Sequence, residues 1–247
     1  MEVGAGRPES ERLSASRLRE ARISTGFWGS LSNSEQAALS TRGREAVFDR
    51  GEPLCVEGDL STHVYIMLAG WAKVISVTTE GHEMVLALRG PGDLVGELAG
   101  ELDGYRTATV RAVVQVRALS IVAERFMVFL DAHHGASRAY RHVIAQRVRE
   151  TGDNLRGRME TSGAQRLARL LLELAQRCGE TTGQGVTLAV PLSQTDLASW
   201  VGVSRATVTR ALRQWRERKL VSTRQGHMTI IDTAALRRIS GGPVGGR

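Results

Sequence analysis

The chain has 247 residues, 42% of them hydrophobic and 24% charged, enough for one large domain or two small ones and too apolar for wholesale disorder. Thirty-three Lys and Arg against 26 Asp and Glu leave a formal charge of +7, which favours an anionic partner. Cys55 and Cys178 alone exclude a disulfide framework and a four-thiolate metal site, and no apolar run suits a membrane span or a secretory signal, so a cytoplasmic protein without a membrane partner is expected.

Residues 1–30 mix Gly, Pro, Ser, Arg and Glu and predict a flexible leader, with a helical turn around Arg17–Ile23 and structure beginning at Leu31. Ser32 followed by Glu35 is a capping-box pattern that opens a short helix through Leu39. Between Val47 and Ile121 the runs VYIML, KVISV, MVLAL and VQVRALSI alternate with glycines. That texture predicts a small antiparallel barrel or jelly roll over 31–122, with Thr79-Glu80-Gly81-His82 as a hairpin tip. Within it, GDLVGEL (92–98) and RTATV (106–110) read as an anion cradle. Gly96 allows close approach of backbone N–H groups, and a short helix from Leu98 aims its positive end at a phosphate. Arg106 offers a guanidinium, Thr107 a hydroxyl, and Glu97 an acceptor for a ribose hydroxyl. Taken alone, the same residues also fit a salt-bridged loop in a barrel wall.

Residues 123–160 carry a helical pattern that no proline interrupts. Ala136, Tyr140, Val143, Ile144, Val148, Thr151 and Leu155 share one face. So long a stripe predicts a partner helix from a second copy, with packing onto its own barrel as the alternative. From 161 to 239, the amphipathic helix Arg166–Cys178, a strand at Val186–Val190, two further helices and a hairpin turning at Gln225-Gly226 predict a winged helix-turn-helix. Residues 240–247 form a frayed tail. Ser193, with Asp196 three residues on, caps the first motif helix, Gly202 ends it, and Ser204 caps the second. Val208, Ala211, Leu212 and Trp215 then face inward, Ala206, Arg210 and Arg213 face outward, and Arg205 lies in the first turn. Residues 205–224 hold six Arg and one Lys against one Glu. Such a helix suits the DNA major groove, with Arg reading guanine and Arg213 and Lys219 placed for phosphates; a solvated surface face is the plainer alternative.

Barrel, long helix and helix-turn-helix together resemble the cAMP receptor protein/Fnr family of bacterial transcription regulators over about residues 31–238. GELAGELDGYRTATV is similar to the phosphate-binding cassette of the cyclic-nucleotide-binding fold, FDRGEPLCVEGD and YIMLAGWAKV to the family's opening strands, and SQTDLASWVGVSRATVTRAL to its DNA-reading motif. The resemblance implies an α+β chain: an N-terminal cyclic-nucleotide-binding β-barrel of jelly-roll type, a dimerisation helix and a C-terminal winged helix-turn-helix. It implies an effector site of Gly96, Glu97, Leu98, Arg106, Thr107 and Thr151, with cAMP as the expected effector and no metal. The alternatives are another nucleotide, such as cGMP or cyclic di-GMP, or no effector. The implied DNA-facing set is Ser193, Ser204, Arg205, Ala206, Thr207, Thr209, Arg210, Arg213 and Lys219. Double-stranded DNA with an inverted-repeat operator, a second copy of the chain and RNA polymerase are the implied partners. Two positions depart from the family pattern. Ala206 stands where Glu is common, which points to a different DNA site, and Gly152 follows Thr151 where Ser is frequent.

Competing readings are weaker. His133 and His134 are adjacent, so on a helix they point about 100° apart and do not clamp one metal. No HExxH, Walker lysine or GxSxG is present, and an Arg-bound carboxylate is a poor general acid, so catalysis is not expected.

Overall fold

The computed structural model describes residues 25–100, 104–160, 162–224 and 226–241, without the side chains of 99, 100, 151 and 153–160. The expected turn at Arg17–Ile23, Gln225 of the hairpin turn, the tail from 242 and the side chains of Thr151 and Leu155 lie outside the described residues. Structure begins before Leu31, which corrects the leader boundary. Gly26–Gly29 forms a helical turn, α1. Phe27 is 1% exposed and sits edge-on to Phe126 at 5.8 Å, while the Trp28 N–H donates to the Gly92 carbonyl. Two aromatics between glycines carry no periodicity, and the pocket that buries Phe27 is made by residues a hundred positions later. The next helix, α2 (Asn33–Ser40), has the expected Ser32–Glu35 capping box.

Eight strands follow: β1 (Gly43–Phe48), β2 (Pro53–Cys55), β3 (His63–Ala69), β4 (Ala72–Val77), β5 (Glu83–Arg89), β6 (Leu94–Val95), β7 (Thr109–Ala112) and β8 (Val116–Val122). They form two four-stranded antiparallel sheets, ordered β1-β8-β3-β6 and β2-β7-β4-β5. The unit is therefore a jelly roll of two sheets and not a closed barrel. Met67, Val116 and Ala118 of one sheet meet Ala72, Val110 and Ala112 of the other in the core between them. The β4–β5 tip forms where the pattern placed it. Gly81 takes φ +81, a conformation cheap only for glycine, and its N–H reaches the Thr78 carbonyl at 2.8 Å.

The stretch 123–160 is two helices, α3 (Ala123–Ala132) and α4 (His134–Glu160), where one was expected. His133 between them is extended, its ring stacked 4.3 Å from Phe129. Glu35 of α2 accepts the Ala136 N–H at 2.9 Å and so satisfies a donor that the new helix start would leave orphaned. The apolar stripe of α4 is also divided. Ala136, Tyr140 and Val143 are buried against the chain's own jelly roll with Ile66, Phe126 and Phe129, as in the alternative reading, whereas Val148 is 69% exposed.

The C-terminal unit comprises α5 (Gly163–Cys178), β9 (Gly179–Thr182), β10 (Gly185–Leu188), α6 (Gln194–Val201), α7 (Arg205–Glu217), β11 (Val221–Arg224), β12 (His227–Ile230) and α8 (Thr233–Ile239). Its four strands run β11-β12-β10-β9, and β9, a polar GETT segment, was not expected from the sequence. The core of Leu171, Leu197, Val208, Leu212 and Trp215 extends into the jelly roll through Trp71, Leu88 and Val113. Polar contacts reinforce this junction. Lys73 Nζ lies 2.6 Å from Asp196 Oδ1, and Ser199 Oγ donates to the Glu83 carbonyl at 2.6 Å while accepting the Val85 N–H at 3.0 Å. Among the described residues no helix is long and apolar enough to cross a membrane.

Candidate nucleotide pocket and DNA-reading helix

The cradle is assembled where β6 ends. Gly96 has φ +83, and a 3-10 helix, Glu97–Gly100, starts immediately after it, one residue earlier than the expected start at Leu98. Arg106 is 7% exposed; its Nη1 donates to the Gly96 carbonyl at 3.0 Å and its Nη2 to the His63 carbonyl at 2.6 Å. A Cβ on Gly96 would run into the Arg106 guanidinium, so glycine is required there by both backbone angle and space. The buried guanidinium is thus satisfied by two carbonyls, and its burial alone does not demand an anion. A small cavity of about 70 Å³ opens beside it, lined by Gly96, Glu97, Leu98, Arg106 and Thr107. Five of the six expected ligand residues meet there. The sixth, Thr151, belongs to α4, and its side chain lies outside the description.

Three further charged residues complete the site. Arg147 of α4 donates from Nε to Glu97 Oε1 at 3.0 Å and from Nη2 to the Leu94 carbonyl at 3.1 Å. The carboxylate expected to meet a ribose therefore has a protein partner. Arg89, at the end of β5, donates from Nη2 to Glu150 Oε2 at 3.1 Å, and Arg147 Nη1 lies 3.7 Å from the same oxygen. Burial alone would raise the Glu150 carboxyl, but Arg89, Arg147 and Arg177 outweigh it and hold the group below its ordinary range. Arg147 lies on the helical face of Tyr140 and Thr151, four residues before Thr151, a signal that the sequence did contain. For Arg89 and Glu150 there was none, because only the docking of α4 beside β5 brings them together. Cys55 also lines the cavity, and burial pushes its thiol upward, away from thiolate reactivity.

The DNA-reading motif folds as its local signals require. Ser193 Oγ accepts the Asp196 N–H at 3.0 Å, Gly202 is left-handed at φ 66 and ψ 49, and Ser204 Oγ accepts the Thr207 N–H at 3.2 Å. On α7, Val208, Ala211, Leu212 and Trp215 are buried, while Arg205, Ala206, Arg210 and Arg213 are exposed. Several of the expected DNA-facing groups have partners within the chain. The Ser193 hydroxyl is held by Asp196, the Thr209 hydroxyl lies 2.7 Å from Gln194 Oε1, and Arg213 Nε pairs with Glu217 at 3.0 Å. Thr207 shares its hydroxyl with Ser204. Lys219, left-handed at φ 56 just past α7, lines a cleft beside the wing with Arg216 and Arg224.

Fold and sites together define a cyclic nucleotide-binding domain joined to a DNA-binding winged helix-turn-helix. Residues 45–133 match the family model of the cyclic nucleotide-binding domain, and residues 165–239 match that of the Crp-like helix-turn-helix domain. The CRP-like cAMP-activated global transcriptional regulator of Mycobacterium tuberculosis is 30% identical over 213 residues, covering 86% of this chain and 95% of that protein. The cyclic AMP receptor protein of Thermus thermophilus is 28% identical over 201 residues, covering 79% and 88%. The solved structure of the c-di-GMP responsive global regulator CLP of Xanthomonas campestris shares the fold, with a TM-score of 0.70 over 82% of this chain and 100% of that one at 20% identity. The chain belongs to the Crp/Fnr family of transcription regulators.

Proposed function

We propose that this chain is a homodimeric, non-catalytic transcription regulator of the cytoplasm, controlled by a cyclic nucleotide, that binds an inverted-repeat operator and engages RNA polymerase. The observation that carries the effector reading is the charge balance of the cavity. Three guanidiniums, Arg89, Arg106 and Arg147, line it with one carboxylate, Glu97, so the cavity wall carries an excess of positive charge beside the cradle. A cyclic phosphodiester is an anion that suits this excess, and Arg106, Thr107 and the backbone at Gly96 are the groups that would hold it. cAMP is the candidate that the names of the two relatives support; a guanosine nucleotide, cGMP or cyclic di-GMP, is the alternative that Arg89 in the cavity wall supports, since a guanidinium can meet guanine O6 and N7 together.

Control follows from Arg147, which spans from α4 to the cradle through Glu97. Any change in the partners of Glu97 biases where α4 lies against the jelly roll. Because α5 to α7 continue from α4, that bias reaches the DNA-reading helices as a shift between populations of two arrangements. In a two-fold dimer the recognition helices would sit ~34 Å apart and meet half-sites one helical turn apart. Isothermal titration of cAMP, cGMP and cyclic di-GMP into the wild type and Arg106→Ala tests the reading. One nucleotide should bind the wild type, and the variant, still folded by circular dichroism, should lose about 3 kcal/mol or more, over a hundredfold in affinity. Equal affinities would place the ligand elsewhere, and operator binding without any nucleotide would leave the DNA-binding half of the proposal standing alone.

A further inference from the structure

The turn that leads into the cradle is held from outside the jelly roll. Among the described residues β6 lies at the edge of its sheet and pairs only with β3, at Ile66↔Leu94 and Tyr65↔Val95. So short an edge strand has few ladder bonds to fix it, and the turn 90–93 before it decides where it runs. β3 holds one side of that turn: the Met67 N–H donates to the Asp93 carbonyl at 2.9 Å, and the Met67 carbonyl accepts the Gly92 N–H at 2.8 Å. The other side is held by α1. The Trp28 N–H donates to the Gly92 carbonyl at 3.1 Å. Gly26, at φ +67, packs so closely that a Cβ there would lie 2.6 Å from the same oxygen, so both backbone angle and space require glycine. The Trp28 carbonyl is in turn anchored by Gln36 Nε2 of α2 at 2.8 Å.

The side chain of the same helical turn reaches the opposite wall of the pocket. Phe27 is buried with Leu94 of β6 and Phe126 of α3. Phe126 sits edge-on to Tyr140 of α4 at 5.8 Å, and the Tyr140 hydroxyl donates to the Glu97 carbonyl at 3.4 Å. α1 thus holds the turn before the cradle by its backbone and packs against the helices by Phe27. One of those helices, α4, carries Arg147, which lines the cavity. We propose that α1 is a clip fixing the cradle against α3 and α4, and that Gly26 and Phe27 are positioning residues for the nucleotide. Neither residue lines the cavity, so both act through the spacing of Gly96 and Arg106 from Arg147. Binding groups work only when their supporting residues hold them to within about 0.5 Å, which is the service a clip provides. By linkage, a clip that favours nucleotide binding is itself tightened by nucleotide to the same factor. The inference rests on the cyclic-nucleotide reading of the pocket and adds a control element outside it.

Titration calorimetry of cAMP, cGMP and cyclic di-GMP into the full-length wild type finds which nucleotide binds, and that nucleotide is then titrated into Gly26→Ala, Phe27→Ala and Leu39→Ala. Leu39 is buried in the same core from α2, so its truncation lowers stability without touching the backbone contact to Gly92. Both clip variants should lose about tenfold or more in affinity, whereas Leu39→Ala should stay within about threefold at a comparable fall in Tm. Hydrogen exchange on the wild type is a second readout that needs no variant, and it decides if Gly26→Ala does not fold. Saturating nucleotide should slow exchange at residues 26–31 by about tenfold or more, and by less across α2. Affinity that follows Tm alike in all three variants, or exchange at 26–31 slowed no more than in α2, would overturn the clip. Failure of all three nucleotides to bind the wild type would instead overturn the cyclic-nucleotide reading on which the clip rests.

Discussion

On α7, Val208 is fully buried, and Arg210 follows it by two residues, about 200° around the helix, so its guanidinium must face solvent. Among the described residues it makes no hydrogen bond or ion pair, unlike Arg213, which is tied to Glu217. Ala206 beside it offers only a methyl group, suited to apolar contact with a thymine methyl and to no hydrogen-bonded readout. Arg210→Ala should cost about 1–3 kcal/mol per half-site and relax the preference for one guanine. Lys219→Ala, removing a charge at the wing, should weaken all sequences alike and reduce the salt dependence. Competition against a randomised half-site library separates the two, and an even loss across positions for Arg210→Ala would make that residue a phosphate contact.

At the scale of the element, α4 serves two surfaces. Its first turns complete the jelly-roll core through Ala136, Tyr140 and Val143, so that part of the apolar stripe needs no second chain. Val148, one turn beyond Ile144 on the expected stripe, remains open to solvent and is the residue on which the dimer proposal turns. Val148→Glu should leave monomer stability within about 0.5 kcal/mol, because an exposed side chain is exchanged for a polar one. The same variant should sediment as a monomer and lose operator binding along with the dimer. A variant that stays dimeric at low concentration would move the interface to another face.

In the molecule as a whole, the winged unit is not tethered by α4 alone. It is docked on the β4–β5 hairpin through Trp71, Leu88 and the Lys73–Asp196 pair. Burial raises the Asp196 carboxyl, but hydrogen bonds from Lys73 and Ser193 and the Lys73 charge outweigh it, and the folded-state pKa lies below the ordinary 3.8. A depressed carboxylate pKa contributes stability that is present above the unfolded value and lost as pH falls through the folded one. The α6 cap and the docking contact should therefore hold at neutral pH and weaken only in acid, below about pH 4. Lys73→Met should cost about 1–3 kcal/mol at pH 7, since both partners are largely buried, and should make the loss of stability in acid shallower. Calorimetric unfolding across pH 3–7 measures both, and superimposable acid profiles would show that the pair contributes nothing to docking.

Much of this architecture was legible in the sequence because its causes are local. The boxes at Ser32 and Ser193, the Gly202 turn and the Gly81 tip each depend on residues within four positions, and the buried faces of α5 and α7 follow from helical period. The cradle was legible too, since Gly96 and Arg106 approach each other within one connection, ten residues apart. Tertiary structure alone decided the rest. The break at His133 is stabilised by Glu35, whose acceptor meets an N–H 101 residues away, and the burial of Phe27 waits on Phe126. Arg147 reaches Glu97 across 50 residues, Arg89 reaches Glu150 across 61, and Lys73 reaches Asp196 across 123. Strand order and helix docking set such pairings, and neither leaves a periodic trace around the residues that meet. The sequence therefore determined where the cradle and the exposed basic helix would form, while the packing of α4 beside β5 decided which further charges meet at the pocket.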